Sequence, residues 1–99
     1  MINHVVLFKL KEYSAEEKAE VLAELKSKLL ALKDKIAEAK YIQVGENYEF
    51  ESKSYDLALL SHFETVKDLD AYRVHPEHQK VVARIGETTV ARAAVDFNF

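Results

Sequence analysis

The first strand constrains the fold more than any other segment. Ile2 to Lys11 is rich in β-branched and aromatic residues, the composition of a strand. Its alternating faces read His4, Val6, Phe8 on one side and Val5, Leu7, Lys9 on the other. Strands with one solvated face alternate apolar with polar, whereas a strand apolar on both faces is covered on both. At 99 residues the chain is one domain, spanning 1–99, with no room for a second core. The covering layers are therefore expected from this domain and a copy of it, the alternative being a solvated back face.

The remaining elements follow from capping and periodicity. Ser14-Ala-Glu-Glu17 is a capping box opening a long helix. Leu22, Leu25, Leu29, Leu32 and Ile36 form one apolar stripe along it. Lys18, Glu20, Glu24, Lys26, Lys28 and Lys33 lie off that stripe and are expected in solvent. A second strand is predicted over Tyr41 to Tyr48, with Gly45 as a bulge or bend, and a polar loop or hairpin over Glu46 to Ser54. A third strand is predicted over Tyr55 to Phe63, then a short helix capped at Thr65 and running through Tyr72. Pro76 breaks that helix and begins another, with His75 at its cap and Gly86 as its stop after about Ile85. Thr88 to Phe99 is the last strand, apolar at Ala91, Ala93, Val95, Phe97 and Phe99.

The order β, α, β, β, α, β is that of the α+β ferredoxin-like fold, a four-stranded antiparallel sheet with helices on one face. Helices on one face leave the other face of a two-sided strand uncovered. The economical cover is a second copy related by two-fold symmetry, which predicts a homodimer.

Composition removes several classes of function. With no Cys there is no disulfide, thiolate metal site or cysteine nucleophile. A net charge of −3 argues against nucleic acid, which needs a clustered positive surface. No apolar run spans a membrane and no signal-peptide pattern opens the chain, so a cytoplasmic location is expected. Two glycines make no phosphate loop and no nicotinamide or flavin fold, so no cofactor is expected.

The chemistry-bearing stretch is Tyr72-Arg-Val-His75-Pro-Glu-His78. On the helix after Pro76, His78, Val81, Val82 and Ile85 share one arc, so His78 points inward. Desolvation keeps such a histidine neutral, with one ring nitrogen free to accept a proton. Tyr72 closes the preceding helix on its inward flank, and His4 is in register with Val6 and Phe8. The candidate acid/base pair is therefore His78 with Tyr72, and His4, His75, Phe8 and Val82 are candidate ligand-contacting residues. The same residues also read as fold determinants: an inward histidine is commonly a hydrogen-bonded core residue, and His75 before proline is most simply a cap. His62 shares a face with Leu60 and is assigned to the surface between copies. A metal site is not expected, because Pro76 separates His75 from the helix that carries His78 and no zinc-hydrolase spacing is present.

Ile2-Asn-His4-Val-Val-Leu-Phe8-Lys, the Tyr55-Asp-Leu-Ala-Leu strand ending at Phe63, and Leu69-Asp-Ala-Tyr72-Arg-Val-His75-Pro-Glu-His78 together resemble the stress-responsive α/β-barrel family. The resemblance covers nearly the whole chain. It implies ferredoxin-like protomers whose sheets pair into a dimeric α+β barrel, with a cavity between each sheet and its own helices. The family includes plant stress proteins and cofactor-free polyketide cyclases, and the wider fold includes cofactor-free monooxygenases. In the cyclases the tyrosine and last histidine of the motif do acid/base work and the N-terminal histidine lines the pocket. By resemblance those roles fall on Tyr72, His78 and His4. Two functions are thereby expected: a barrel that binds a small apolar or aromatic ligand and transfers a proton on it, or a non-catalytic stress-associated structural oligomer.

Overall fold

The computed structural model describes residues 1–48 and 53–99. The elements are β1 (Ile2–Leu10), α1 (Ala15–Lys35), β2 (Tyr41–Glu46), β3 (Leu57–Phe63), α2 (Val66–Val74), α3 (Pro76–Thr88) and β4 (Thr89–Asn98). The strands form one antiparallel sheet in the order β2-β3-β1-β4, which puts the two-sided β1 at its interior. This is the ferredoxin-like α+β arrangement, with its second helical segment divided in two.

One face of the sheet meets the helices. Ile2, Val6, Phe8 and Leu10 of β1, with Leu57, Leu59 and Phe63 of β3, are buried there against Leu22, Leu25, Leu29 and Leu32 of α1. Ile36, the last residue of the predicted apolar stripe, is fully buried as the C-cap of α1. The other face carries the alternate residues. Leu7, Val95 and Phe97 are 39%, 62% and 46% exposed there, and Leu7 lies between Ala58 and Ala93 in the register. Polarity is reversed in β4. Its apolar residues Ala93, Val95 and Phe97 pair with Leu7, Val5 and Asn3 on the outer face, while Arg92, Ala94 and Asp96 pair with Phe8, Val6 and His4 on the helix side.

The caps form where local chemistry predicts. Ser14 Oγ accepts the Glu17 amide at 3.2 Å and Thr65 Oγ1 accepts the Asp68 amide at 3.1 Å. Other expectations need correction. Gly45 is no bulge: it pairs with Ala58 in an unbroken ladder, and the register irregularity lies between Lys9 and Leu10. Gly86 does not stop α3. Its φ is not positive, so it makes no left-handed cap. The helix continues to Thr88, where the Thr88 and Thr89 hydroxyls donate to the Ile85 carbonyl at 3.2 and 2.8 Å. Strand β2 ends at Glu46, and the loop expected over 46–54 falls partly on residues outside those described.

Strand β3 begins at Leu57 rather than Tyr55 because Asp56 turns inward. Its carboxylate accepts the Leu10 amide at 2.8 Å and pairs with Lys18 at 2.8 Å. Lys18 is thereby drawn from the solvent expected of it onto the β1–β3 end of the sheet. Burial pushes the Asp56 carboxyl up, but Lys18, the Leu10 amide and Lys9 together hold it below the ordinary carboxylate value. Among the described residues no helix is long and apolar enough to cross a membrane.

Candidate functional site

The site grows out of the break at His75-Pro76. A helix continuing through this point would bond the Tyr72 carbonyl to residue 76 and the Arg73 carbonyl to residue 77. Pro76 has no N–H. The Tyr72 carbonyl is taken instead by the His75 amide at 3.2 Å. The Glu77 amide is taken by the His75 side chain, whose Nδ1 accepts it at 3.1 Å. This leaves the Arg73 carbonyl free, and His78 Nδ1–H donates to it at 3.0 Å. Gln79 Nε2 donates to the same oxygen at 2.6 Å. The fixed Nδ1–H leaves Nε2 of neutral His78 as the proton acceptor. Burial holds the His78 pKa below the ordinary value; the bond to the Arg73 carbonyl opposes this, and the positive fields of His4, Arg92 and Arg73 add to it.

His78 lies on the wall of a cavity of about 330 Å³ between the sheet and α1 and α3. Val6, Phe8 and Leu59 of the sheet, Leu29 of α1, and Val82 and Ile85 of α3 form most of its apolar lining, with Ala94 on β4. Its polar groups are His4, Arg73, His78, Gln79 and Arg92. Size and lining both suit a small, largely apolar ligand. A larger, shallow depression of about 440 Å³ lies against Leu7, Ala58 and Tyr55, away from this chemistry.

Of the residues singled out by sequence, His78, His4, Phe8 and Val82 come together on this wall. His75 stands outside it, occupied in capping α3. Tyr72 lies behind the wall at 0% exposure, its ring 4.3 Å from that of His78 and 4.9 Å from Phe63. Burial pushes the Tyr72 hydroxyl up to about 12, so it keeps its proton, and it has no hydrogen-bond partner among the described residues. Four polar residues escaped the sequence reading. Asp96 accepts from His4 Nδ1 and from Arg73 Nη2, the latter at 2.8 Å, while Arg73 Nη1 reaches Asp70 at 3.1 Å. Gln79 and Arg92 complete the set. Arg92 and Asp96 stand at even positions of the last strand, between the apolar odd ones, and that alternation is the signal for them in the sequence. Among the described residues no group of three or more histidine and carboxylate side chains is placed to hold a metal.

The chain matches the profile described as Stress Responsive A/B Barrel Domain over residues 2–99. It belongs to that family. A dimeric ferredoxin-like protein of unknown function from Bacteroides fragilis is 36% identical, with a TM-score of 0.90 over 99% of this chain and 95% of its own. A dimeric ferredoxin-like protein of unknown function from Thermobifida fusca is 28% identical, with a TM-score of 0.79 over 99% of this chain and 90% of its own. A hydroxynitrile lyase from Passiflora edulis shares the fold, with a TM-score of 0.80 at 13% identity over 97% of this chain and 90% of its own. Among curated proteins, none matches the chain.

Proposed function

We propose that this stress-responsive barrel domain acts as a homodimer, each protomer binding a small apolar or aromatic carbonyl compound in the cavity beside His78 and moving a proton on it without a cofactor. The observation that carries this reading is the commitment of His78 Nδ1 to the Arg73 carbonyl on the wall of an apolar cavity. In the proposed step His78 Nε2 removes a proton from the carbon next to a carbonyl. The C–H electron pair becomes the enolate, and the imidazolium returns the proton to the carbon. Tyr72 is the proposed donor to the enolate oxygen, because its hydroxyl is protonated and breaks no existing bond to serve. Tyr72 does not line the cavity, so reaching the enolate oxygen requires the His78 ring to swing aside, and its Nδ1–H bond to the Arg73 carbonyl to break and re-form. The family relationship and the exposed apolar outer face support the dimer, and relatives described as dimeric share the fold.

The test is exchange of the methyl protons of acetophenone in heavy water, followed by NMR. The wild type is expected to accelerate exchange, and His78→Ala to lower that acceleration by roughly 10²-fold or more, the usual worth of a positioned base. Tyr72→Phe should lose less. Equal exchange by wild type and His78→Ala overturns the catalytic reading. The sealed Tyr72 and the capping His75 favour one alternative, a non-catalytic oligomer in which this motif only shapes the fold. That alternative is supported if His78→Ala destabilises the protein while no carbonyl probe perturbs the wild-type His78 resonances.

A further inference from the structure

The polar groups on the cavity wall are unequal in one respect. His78 and Gln79 both spend a nitrogen on the Arg73 carbonyl. His4 is held by Asp96, and the Arg73 guanidinium is neutralised by Asp96 and Asp70. Arg92 alone of these five makes no hydrogen bond or ion pair among the described residues. It projects from the helix side of β4 opposite Phe8, and no carboxylate lines the cavity. A second depression, of about 340 Å³, is also bounded by Arg92, Val82 and Ile85, so the two spaces share these three residues.

From this placement we propose that Arg92 is the anion-binding group of the cavity and that the ligand is an apolar or aromatic acid, its carboxylate on Arg92 and its body against Val6, Phe8 and Val82. A guanidinium presents a planar fork of donors that matches a carboxylate with two parallel bonds. An unneutralised cation on the wall of an apolar cavity also draws anions inward, against the −3 net charge of the chain. Anchoring one end of the ligand selects which carbon lies beside His78, so Arg92 is a specificity-determining residue. This deepens the ligand-binding reading above and rests on it.

The probes are 4-acetylbenzoate, its neutral amide 4-acetylbenzamide, and acetophenone, each titrated against the intact protein while the His78 ring resonances are followed. The acid is expected to bind about tenfold or more tightly than the amide, a difference of about 1.4 kcal/mol. Arg92→Gln should erase that preference, and Arg92→Lys should keep part of it. Raised salt should weaken the acid and leave the amide unchanged. Equal affinity for acid and amide in the wild type, or an unchanged preference in a folded Arg92→Gln protein, overturns the anion site. If acetophenone still perturbs His78 in that case, the ligand-binding reading survives alone. If none of the three probes perturbs His78, both fall.

Discussion

At the scale of single residues, the site depends on which donor each acceptor receives. Proline at position 76 withdraws one amide, His75 captures another, and the carbonyl left over orients His78. The motif is thus a local rearrangement of backbone bonding whose by-product is a histidine with one nitrogen assigned. The inward side chain of His78 was readable from helical spacing alone, because three- and four-residue steps fix one face. The His4–Asp96–Arg73 chain was not, since His4 and Asp96 are 92 residues apart and meet only through the β1–β4 register. Titration of His78 carries a signed prediction. Its folded pKa lies below the ordinary 6.5, so between the two values the unfolded chain binds more protons. This contribution to stability is fully present above about 6.5 and is lost as pH falls through the folded value. Urea midpoints measured across that range should decline more steeply with acid in the wild type than in His78→Gln. Parallel curves would contradict the assignment.

Among the elements, the junction of β1, β3 and α1 is held by one buried carboxylate. Asp56 satisfies the last amide of β1 and recruits Lys18 from the first turns of α1. Asp56→Ala leaves a buried amide without its acceptor and removes the carboxylate that draws Lys18 to this junction, and is expected to cost about 2 kcal/mol in urea denaturation. A loss within error of zero would show that water replaces the carboxylate at no cost. Across the top of the helices, Arg84 holds Glu24 through two bonds of 2.7 and 3.0 Å, tying α3 to α1 in partly exposed surroundings. Element identity was legible wherever the signal was local: Ser14 and Thr65 cap, Pro76 starts, and the leucine stripe faces the sheet. Element ends were less legible. A glycine stops a helix only when it takes positive φ, and at Gly86 the threonine hydroxyls cap the following turn instead. Gly45 likewise reads as a bend by type, yet its ladder partner Ala58 keeps it in the strand. Asp56 looked like one more polar strand residue because its partner is contributed by a helix nearly forty positions away.

Across the whole molecule, the apolar outer face is the counterpart of the helix-covered one. Exposed apolar side chains gathered on one sheet face, here Leu7, Val95 and Phe97, mark an interaction site, and the two-sided β1 predicts it from sequence alone. Leu7→Lys places a charge between Ala58 and Ala93 at the middle of that face. In sedimentation equilibrium it is expected to shift the protein from dimer to monomer, and its thermal midpoint should lose the dependence on protein concentration expected of the wild type. A variant that remains dimeric would place the contact elsewhere. Strand β4 serves both surfaces, because alternate side chains leave it in opposite directions. Positions 92, 94 and 96 lie on the helix side, with 92 and 94 on the cavity wall, and 93, 95 and 97 on the outer face. Adjacent residues of one strand therefore face different surroundings. On the proposed reading, a substitution at 92 or 94 changes what the cavity accepts and leaves the outer face untouched, so ligand and assembly can be altered separately within one strand.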